Sequence, residues 1–341
     1  MRALVLHAAN DLRLEDRADP GPPGPGQVRV KMAAGGICGS DLHYYQHGGF
    51  GTIRVREPIV LGHEVAGHVE ALGEGVTGLS EGQLVAVSPS RPCGTCRFCK
   101  EGMFNQCLNM RFYGSAMPMP HIQGAFRDVV LADAAQCVPA DGLTPAQAAM
   151  AEPLAVCLHA TARAGSLVGK SVLVTGCGPI GLLSILCARR AGADLVVATD
   201  LAEMPLATAR KLGADEALTA GPDALAPWTA EKGQFDVLFE CSGVEPALRA
   251  GVDALRPGGT ILQLGLGGDM TLPLQAITAK ELALKGSFRF HGEFATAVSL
   301  MRKGLIDVDP LLSATMPPED HAAAFALAAD RSRALKVQFA F

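Results

Sequence analysis

Four thiols fall within the fifteen residues from Cys93 to Cys107, as Cys93, Cys96, Cys99 and Cys107 in the pattern C-x2-C-x2-C-x7-C, while the other six cysteines are scattered singly. Four thiolates from one loop can close a tetrahedron around zinc and leave no coordination position open, which describes a structural site and not a catalytic one. Reduced thiols and an iron–sulfur cluster are the competing readings of the spacing. Chemistry needs a second site with a vacancy, and its candidate ligands are Cys38 in GGICGSDLHYY, His63 and Glu64 in VLGHEVAGH, and Glu152 in MAEPLAV. Zinc held by a thiolate, an imidazole and a carboxylate keeps room for a water or an alcohol. Taken singly these residues are more often structural; their joint appearance beside a dinucleotide motif points to a site. Asp41, three residues past Cys38, is a candidate to orient the His63 ring, with a turn residue as the alternative.

GHEVAGH invites comparison with the H-E-x-x-H helix of metalloproteases. His68 follows His63 by five residues, not four, and glycines border the segment, so the required helical face does not form. His68 reads as an ordinary strand histidine.

VLVTGCGPIGLL contains Gly176, Gly178 and Gly181 in G-x-G-x-x-G spacing, between an apolar strand-like run and a helix-like run. The first glycine makes a tight turn, the second admits a pyrophosphate to the backbone, and the third lets helix and strand pack closely. Asp200 ends the next apolar run, 19 residues after Gly181, where a carboxylate accepts from ribose hydroxyls and repels a 2′-phosphate. NAD is the favoured coenzyme and NADP the alternative.

These motifs need a scaffold, and the chain has two textures. Up to about residue 150 short runs such as QVRVKMA, GHVEALG and GQLVAVS alternate between glycines, an all-β segment with loops. From about Ala151, continuous apolar runs (SVLVTG, DLVVATD, FDVLFEC, TILQLG) alternate with helical stretches, the signature of a parallel sheet covered on both faces. The closing LKVQFAF, with Leu335, Val337, Phe339 and Phe341 alternating, resembles the first segment. The expected organisation is therefore an α/β chain in which residues 1–152 and 290–341 form one discontinuous domain around an inserted nucleotide-binding domain, 153–289.

The whole composition suits two compact domains, with 341 residues, 49% hydrophobic and 18% charged. Twenty-nine basic against 34 acidic residues leave a formal charge of −5, which offers no basic face for nucleic acid. No run reaches the roughly 18 apolar residues of a membrane span and no signal peptide is recognisable, so a cytoplasmic location with reduced thiols is expected.

GICGSDLHYY, LGHE, CGTCRFC with the later Cys107, EPLAV, GCGPIG and GSFRF resemble, in order and spacing over essentially the entire chain, the polyol branch of the zinc-dependent medium-chain dehydrogenases. That resemblance implies a GroES-like β-rich catalytic domain, a Rossmann coenzyme domain, two zinc ions per chain and a homo-oligomer, dimer or tetramer. It implies Cys38, His63 and Glu64 as catalytic-zinc ligands and Glu152 as a further ligand or a partner of a zinc-bound water. Ser40 and His43 resemble the family's proton relay, and Tyr44, Glu152, Arg289 and Phe290 its substrate contacts. Gly176, Gly178, Pro179, Ile180, Gly181, Asp200, Leu264, Gly265, Leu266, Ser287, Phe288 and Arg289 align with its coenzyme contacts. Hydride would pass between a secondary alcohol and the nicotinamide. Within the branch the likeness is strongest to members acting on a sugar acid, whose carboxylate asks for a guanidinium; Arg111, assisted by His121, is the expected partner. A general polyol dehydrogenase, a threonine-type dehydrogenase and a non-catalytic coenzyme-binding protein are the alternatives.

Overall fold

The computed structural model describes residues 1–341. The chain divides into two compact units, one made of Met1–Glu152, Phe294–Asp330 and Lys336–Phe341, the other of Pro153–Glu293 and Arg331–Leu335.

In the first unit the strand Gln27–Gly36 is the hub of a seven-stranded sheet. Its alternation does what period two requires, burying Val28, Val30 and Met32 while Lys31 faces solvent. It pairs antiparallel with Glu64–Leu72 along its length, and with Val129–Asp133 and Lys336–Ala340 along separate stretches. The two glycines that end it are steric necessities. A Cβ at Gly35 would lie 2.8 Å from the Phe126 ring, and one at Gly36 would lie 2.3 Å from the Glu64 carboxylate. The closing aromatics Phe339 and Phe341 pack on Phe126, so the two ends of the unit's sequence share one core.

Two features depart from the sequence reading. The first segment is not all β: Gly39–His47 forms a helix and so does Pro145–Ala149. The first of these carries Gly, Ser, Asp, two His and two Tyr, a composition with little intrinsic helix preference, and its apolar stripe is too weak to announce it. The closing strand is also not half-exposed. Lys336, Val337, Gln338 and Phe339 are all buried, because the strand is paired on both edges, to Leu312–Met316 and to Gln27–Gly36. Gln338 Nε2 donates to the Ala146 carbonyl at 3.0 Å, while its Oε1 is buried without a partner.

In the second unit six strands run parallel in the spatial order Glu216–Thr219, Leu195–Asp200, Ser171–Thr175, Phe235–Glu240, Leu255–Gln263, Ala283–Gly286. Strand order therefore reverses between Ser171–Thr175 and Phe235–Glu240, and in open α/β sheets such a switch point leaves a crevice at the carboxyl ends of the strands. Leu173, Val197, Leu238 and Ile261 from the central strands are fully buried with Phe235, Leu248 and Val252, which explains their continuous apolar runs. No helix is long and apolar enough to cross a membrane.

Candidate active site and nucleotide cradle

Helix Gly39–His47 starts immediately after Cys38, and the Asp41 carboxylate closes its first turn by accepting from the Cys38 N–H at 3.0 Å. Asp41 is fully buried and also accepts from the Gly62 N–H at 3.3 Å, tying the helix start to the loop that delivers His63. Gly62 has a φ of +94° and its missing Cβ would sit 2.2 Å from the Phe126 ring, so only glycine allows this approach. His63 then stands just before the strand Glu64–Leu72, and the Glu64 side chain lies under Gly36. Ligand atoms of Cys38, His63 and Glu64 lie within 4.8 Å of one another. The Asp41 carboxylate is 3.8 Å from His63 Nδ1, close enough for attraction but longer than a hydrogen bond.

Burial dominates the electrostatics. It pushes the Cys38 thiol up to about 12, with the Glu64 charge adding to the effect, so a cation that takes this sulfur as thiolate must release its proton. Burial also raises the Glu152 carboxyl to about 8 beside Glu64 and Cys38, against the pull of His63. Glu152, in the first turn of helix Ala151–Ala164, thus senses the cluster electrostatically but is not one of the three mutually close donors. A thiol, an imidazole and a carboxylate converging in a buried cluster suit zinc with an open fourth position.

Lys336 is a member of this site that the sequence reading missed. Its ammonium is buried at 3% exposure and donates to both Glu64 carboxylate oxygens at 2.7 and 2.9 Å and to the Ile37 carbonyl at 3.1 Å. Burial pulls the ammonium toward deprotonation, but the charges of Glu64 and Cys38 outweigh it and hold its pKa above the ordinary lysine value. A lysine at the start of an otherwise largely apolar terminal strand is the available signal.

Ser40 and His43 are three residues apart on one helix and therefore share a face, both half-buried. His43 lies against Phe50 with centroids 5.9 Å apart, and the buried Tyr44 accepts at its hydroxyl from the Ala116 N–H at 3.2 Å. Phe112 packs against His63 with ring centroids 5.7 Å apart and the planes tilted by 50°. Arg111, its neighbour in the two-residue strand Arg111–Phe112, projects to the opposite face and lines a separate cavity with His121. The expected pair is therefore together, but none of Cys38, His63, Glu64 or Glu152 lines that cavity. His121 is also fully committed: one ring nitrogen accepts from the Arg56 N–H at 2.9 Å while the other faces the Pro118 carbonyl at 2.9 Å. It has no donor left for a carboxylate, which corrects the assisting role expected of it.

The four clustered cysteines also converge, with sulfurs mutually within 4.8 Å, near the ~3.8 Å edge of a tetrahedron with 2.3 Å arms. Backbone N–H groups already point at the sulfurs: Cys93 donates to Cys107 Sγ at 3.1 Å, Cys96 to Cys93 Sγ at 3.4 Å and Asn109 to Cys107 Sγ at 3.4 Å. Donors from Thr95 and Cys96 pull the Cys93 thiol down to about 5, whereas burial pushes Cys99 up to about 12. Such a loop suits a tetrathiolate ion. Cys99→Ser is expected to lose one equivalent of zinc and lower the thermal midpoint by at least ~5 °C, because the loop has little core of its own to hold it. Unchanged zinc content in that variant would contradict the assignment.

In the second unit the glycine turn sits at the switch point. Gly176 has a φ of +85°, and its missing Cβ would lie 2.8 Å from the Ser242 backbone; a Cβ at Gly181 would lie 1.8 Å from the Gly176 carbonyl. Gly178 is different, since no atom lies within 4 Å of where its Cβ would be. That space, at the start of helix Pro179–Arg190, is what a pyrophosphate needs. Asp200 is held by the Cys177 N–H at 2.7 Å and the Ala202 N–H at 3.0 Å, beside the turn. Glu240, also missed in the sequence, organises the far wall. This fully buried carboxylate accepts from Ser242, Gly243 and Gln263, which fixes the loops after the two strands beyond the switch point. Leu264 and Gly265 donate to the Glu240 carbonyl, and Leu266 is 70% exposed. Ser287 Oγ is buried without a partner, Phe288 is half-exposed with the Arg289 guanidinium 4.8 Å over its ring, and Phe290 is buried. An open glycine cradle and, after the edge strand of the same sheet, an orphaned buried hydroxyl suit a polar dinucleotide.

A β-rich unit with a thiol, imidazole and carboxylate cluster, together with a doubly wound unit carrying a glycine cradle, describes a zinc- and nucleotide-dependent oxidoreductase. Residues 24–142 match the alcohol dehydrogenase GroES-like domain, and residues 179–303 match the zinc-binding dehydrogenase family. The chain is 44% identical over 318 residues to L-idonate 5-dehydrogenase (NAD(P)(+)) of Escherichia coli K12, covering 92% of this chain and 91% of that protein. It is 38% identical over 330 residues to chicken sorbitol dehydrogenase, covering 95% and 92%. The crystal structure of E. coli L-idonate 5-dehydrogenase superimposes with a TM-score of 0.95 at 41% identity, over 100% of this chain and 98% of that one. A short chain alcohol dehydrogenase from E. coli CFT073 complexed with NADH gives a TM-score of 0.89 at 29% identity, over 100% and 99%. A zinc-binding dehydrogenase from Sinorhizobium meliloti bound to NADP gives 0.88 at 29%, with the same coverage. This chain belongs to the zinc-dependent medium-chain alcohol dehydrogenase family, with a GroES-like and a Rossmann domain.

Proposed function

We propose that this enzyme interconverts L-idonate and 5-keto-D-gluconate, oxidising a secondary alcohol of a sugar acid with NAD. The single observation that carries the substrate is the likeness to E. coli L-idonate 5-dehydrogenase over nine-tenths of both chains. Cys38, His63 and Glu64 hold the catalytic zinc, with Glu152 beside it, and the four clustered cysteines hold a second, structural zinc. Bound zinc supplies a Lewis acid that makes the substrate hydroxyl more acidic, and the nicotinamide accepts the hydride. The chain's own part is to bind, orient and move the proton. Ser40 takes the hydroxyl proton and His43, on the same helix face, carries it outward. Tyr44 in the first unit and Phe290 in the second are proposed as substrate contacts. With Arg111 facing another cavity, Arg289 is the cation among the proposed substrate contacts that answers the carboxylate. The active form is a cytoplasmic homo-oligomer, a dimer or tetramer.

The test is a comparison of initial rates on L-idonate, sorbitol, xylitol and threonine. A kcat/KM for L-idonate at least ~10-fold above sorbitol is expected, the gain that one buried charge-assisted contact provides. Equal or reversed values would overturn the substrate assignment in favour of a general polyol dehydrogenase. That second reading is favoured by the direction of Arg111.

Asp200 sets the coenzyme. Asp200→Asn is expected to raise the NADP-to-NAD ratio of kcat/KM by at least ~10-fold, because a like charge no longer meets the 2′-phosphate. An unchanged ratio would remove Asp200 from the ribose site.

A further inference from the structure

The cavity that holds Arg111 has a volume of about 210 Å³ and is lined by Arg91, Arg111 and Arg127 together with Tyr113, Gln123 and Gln136 among others. Arg91 and Arg111 are direct cross-strand partners in the ribbon of Ser90–Arg91 and Arg111–Phe112. Like charges placed so are repulsive, and a fold tolerates them where something negative sits nearby. One carboxylate does: Asp133 pairs with Arg91 Nε at 2.5 Å. Arg127 has no such relief. Its Nε is buried without a hydrogen-bond partner, and burial depresses its pKa with only Tyr113 opposing. The Tyr113 hydroxyl meanwhile faces the Leu131 carbonyl at 3.3 Å. Arg127 is half-buried and lines the cavity, and a buried N–H left without a partner is costly unless a ligand or water completes it.

We propose that this cavity is a binding site for a small phosphate dianion, separate from the catalytic site. Three guanidiniums face one carboxylate there, leaving two positive charges for the ligand to neutralise. Planar guanidinium forks match phosphate oxygens. The volume lies below the ~300 Å³ at which pockets for drug-sized ligands begin, so the ligand is inorganic phosphate or a small phosphorylated metabolite. Its consequence reaches the metal cluster through the backbone. Arg111 and Phe112 are consecutive, so an anion that holds Arg111 also steadies the strand that presents Phe112 to His63.

The test titrates inorganic phosphate, and in a second arm glucose 6-phosphate, into the zinc-loaded enzyme at constant ionic strength, reading thermal midpoint and calorimetric binding. Saturable stabilisation is expected, weakened at least tenfold in Arg111→Met and abolished in Arg127→Met. Arg111→Met changes an exposed side chain and serves as the deciding variant if Arg127→Met fails to fold. Tighter binding of glucose 6-phosphate than of phosphate would identify an organic phosphate as the ligand; equal affinity would identify phosphate itself. Overturning outcomes are a non-saturating response shared by wild type and variants, or no response to either anion, as when a carboxylate of a second copy fills the cavity.

Discussion

Cys38→Ala is expected to lower kcat/KM by at least ~10³-fold, the scale of several kcal/mol that a catalytic metal contributes to transition-state stabilisation. Removing the sulfur leaves His63 and Glu64, and the Glu64 carboxylate is already engaged on both oxygens by Lys336. Two donors, one of them shared with an ammonium, make a poor zinc site. The variant should therefore bind zinc at the cysteine cluster alone, so that one equivalent of metal per chain is measured. Its fold should survive, because the half-buried Cys38 side chain contributes little to the core. Coenzyme binding, followed by NADH fluorescence, should also survive, since the glycine cradle belongs to the other unit. Wild-type turnover with full zinc content in this variant would disprove the assignment of the catalytic centre.

Lys336→Met should destabilise the chelator-treated protein by about 3–5 kcal/mol, the cost of leaving one member of a buried ion pair without its partner. Both side chains are almost fully buried, at 3% and 2% exposure, so neither charge can turn to water. Glu64→Gln in the Lys336→Met background should recover a large part of the loss, because the uncompensated charge is then gone. Added zinc should stabilise the single variant more than wild type, since the cation takes over the role of the ammonium. Urea denaturation of the four proteins in a double-mutant cycle measures this directly. A coupling below ~0.5 kcal/mol would show that the pair contributes nothing to folding.

Several parts of the site are legible in the amino-acid sequence. The glycine spacing and the acidic end of the next strand were readable because backbone approach to a phosphate demands glycine at fixed offsets, whatever surrounds it. The cysteine loop was readable for the same kind of reason, since all its donors come from one short segment. Helix Gly39–His47 was not, because its formation rests on the Asp41 bond at its start and on packing, and its own composition is neutral. Glu240 is not legible because a buried carboxylate is distinguished only by the donors around it, and those come from Ser242 and Gly243 in the loop just after it and from Gln263 at the end of the neighbouring strand.

What the sequence by itself determined is local: which segments are strands buried on both faces, where the phosphate turn falls, and which thiols cluster within one loop. These follow from periodicity and from the stereochemistry of neighbouring residues. Tertiary structure alone decided that Lys336, near the far end of the chain, neutralises Glu64, and that Arg111 and Phe112 part company across a two-residue strand. The physical reason is that pairing and facing depend on which strands lie side by side, and a residue's own neighbours in sequence carry no record of that.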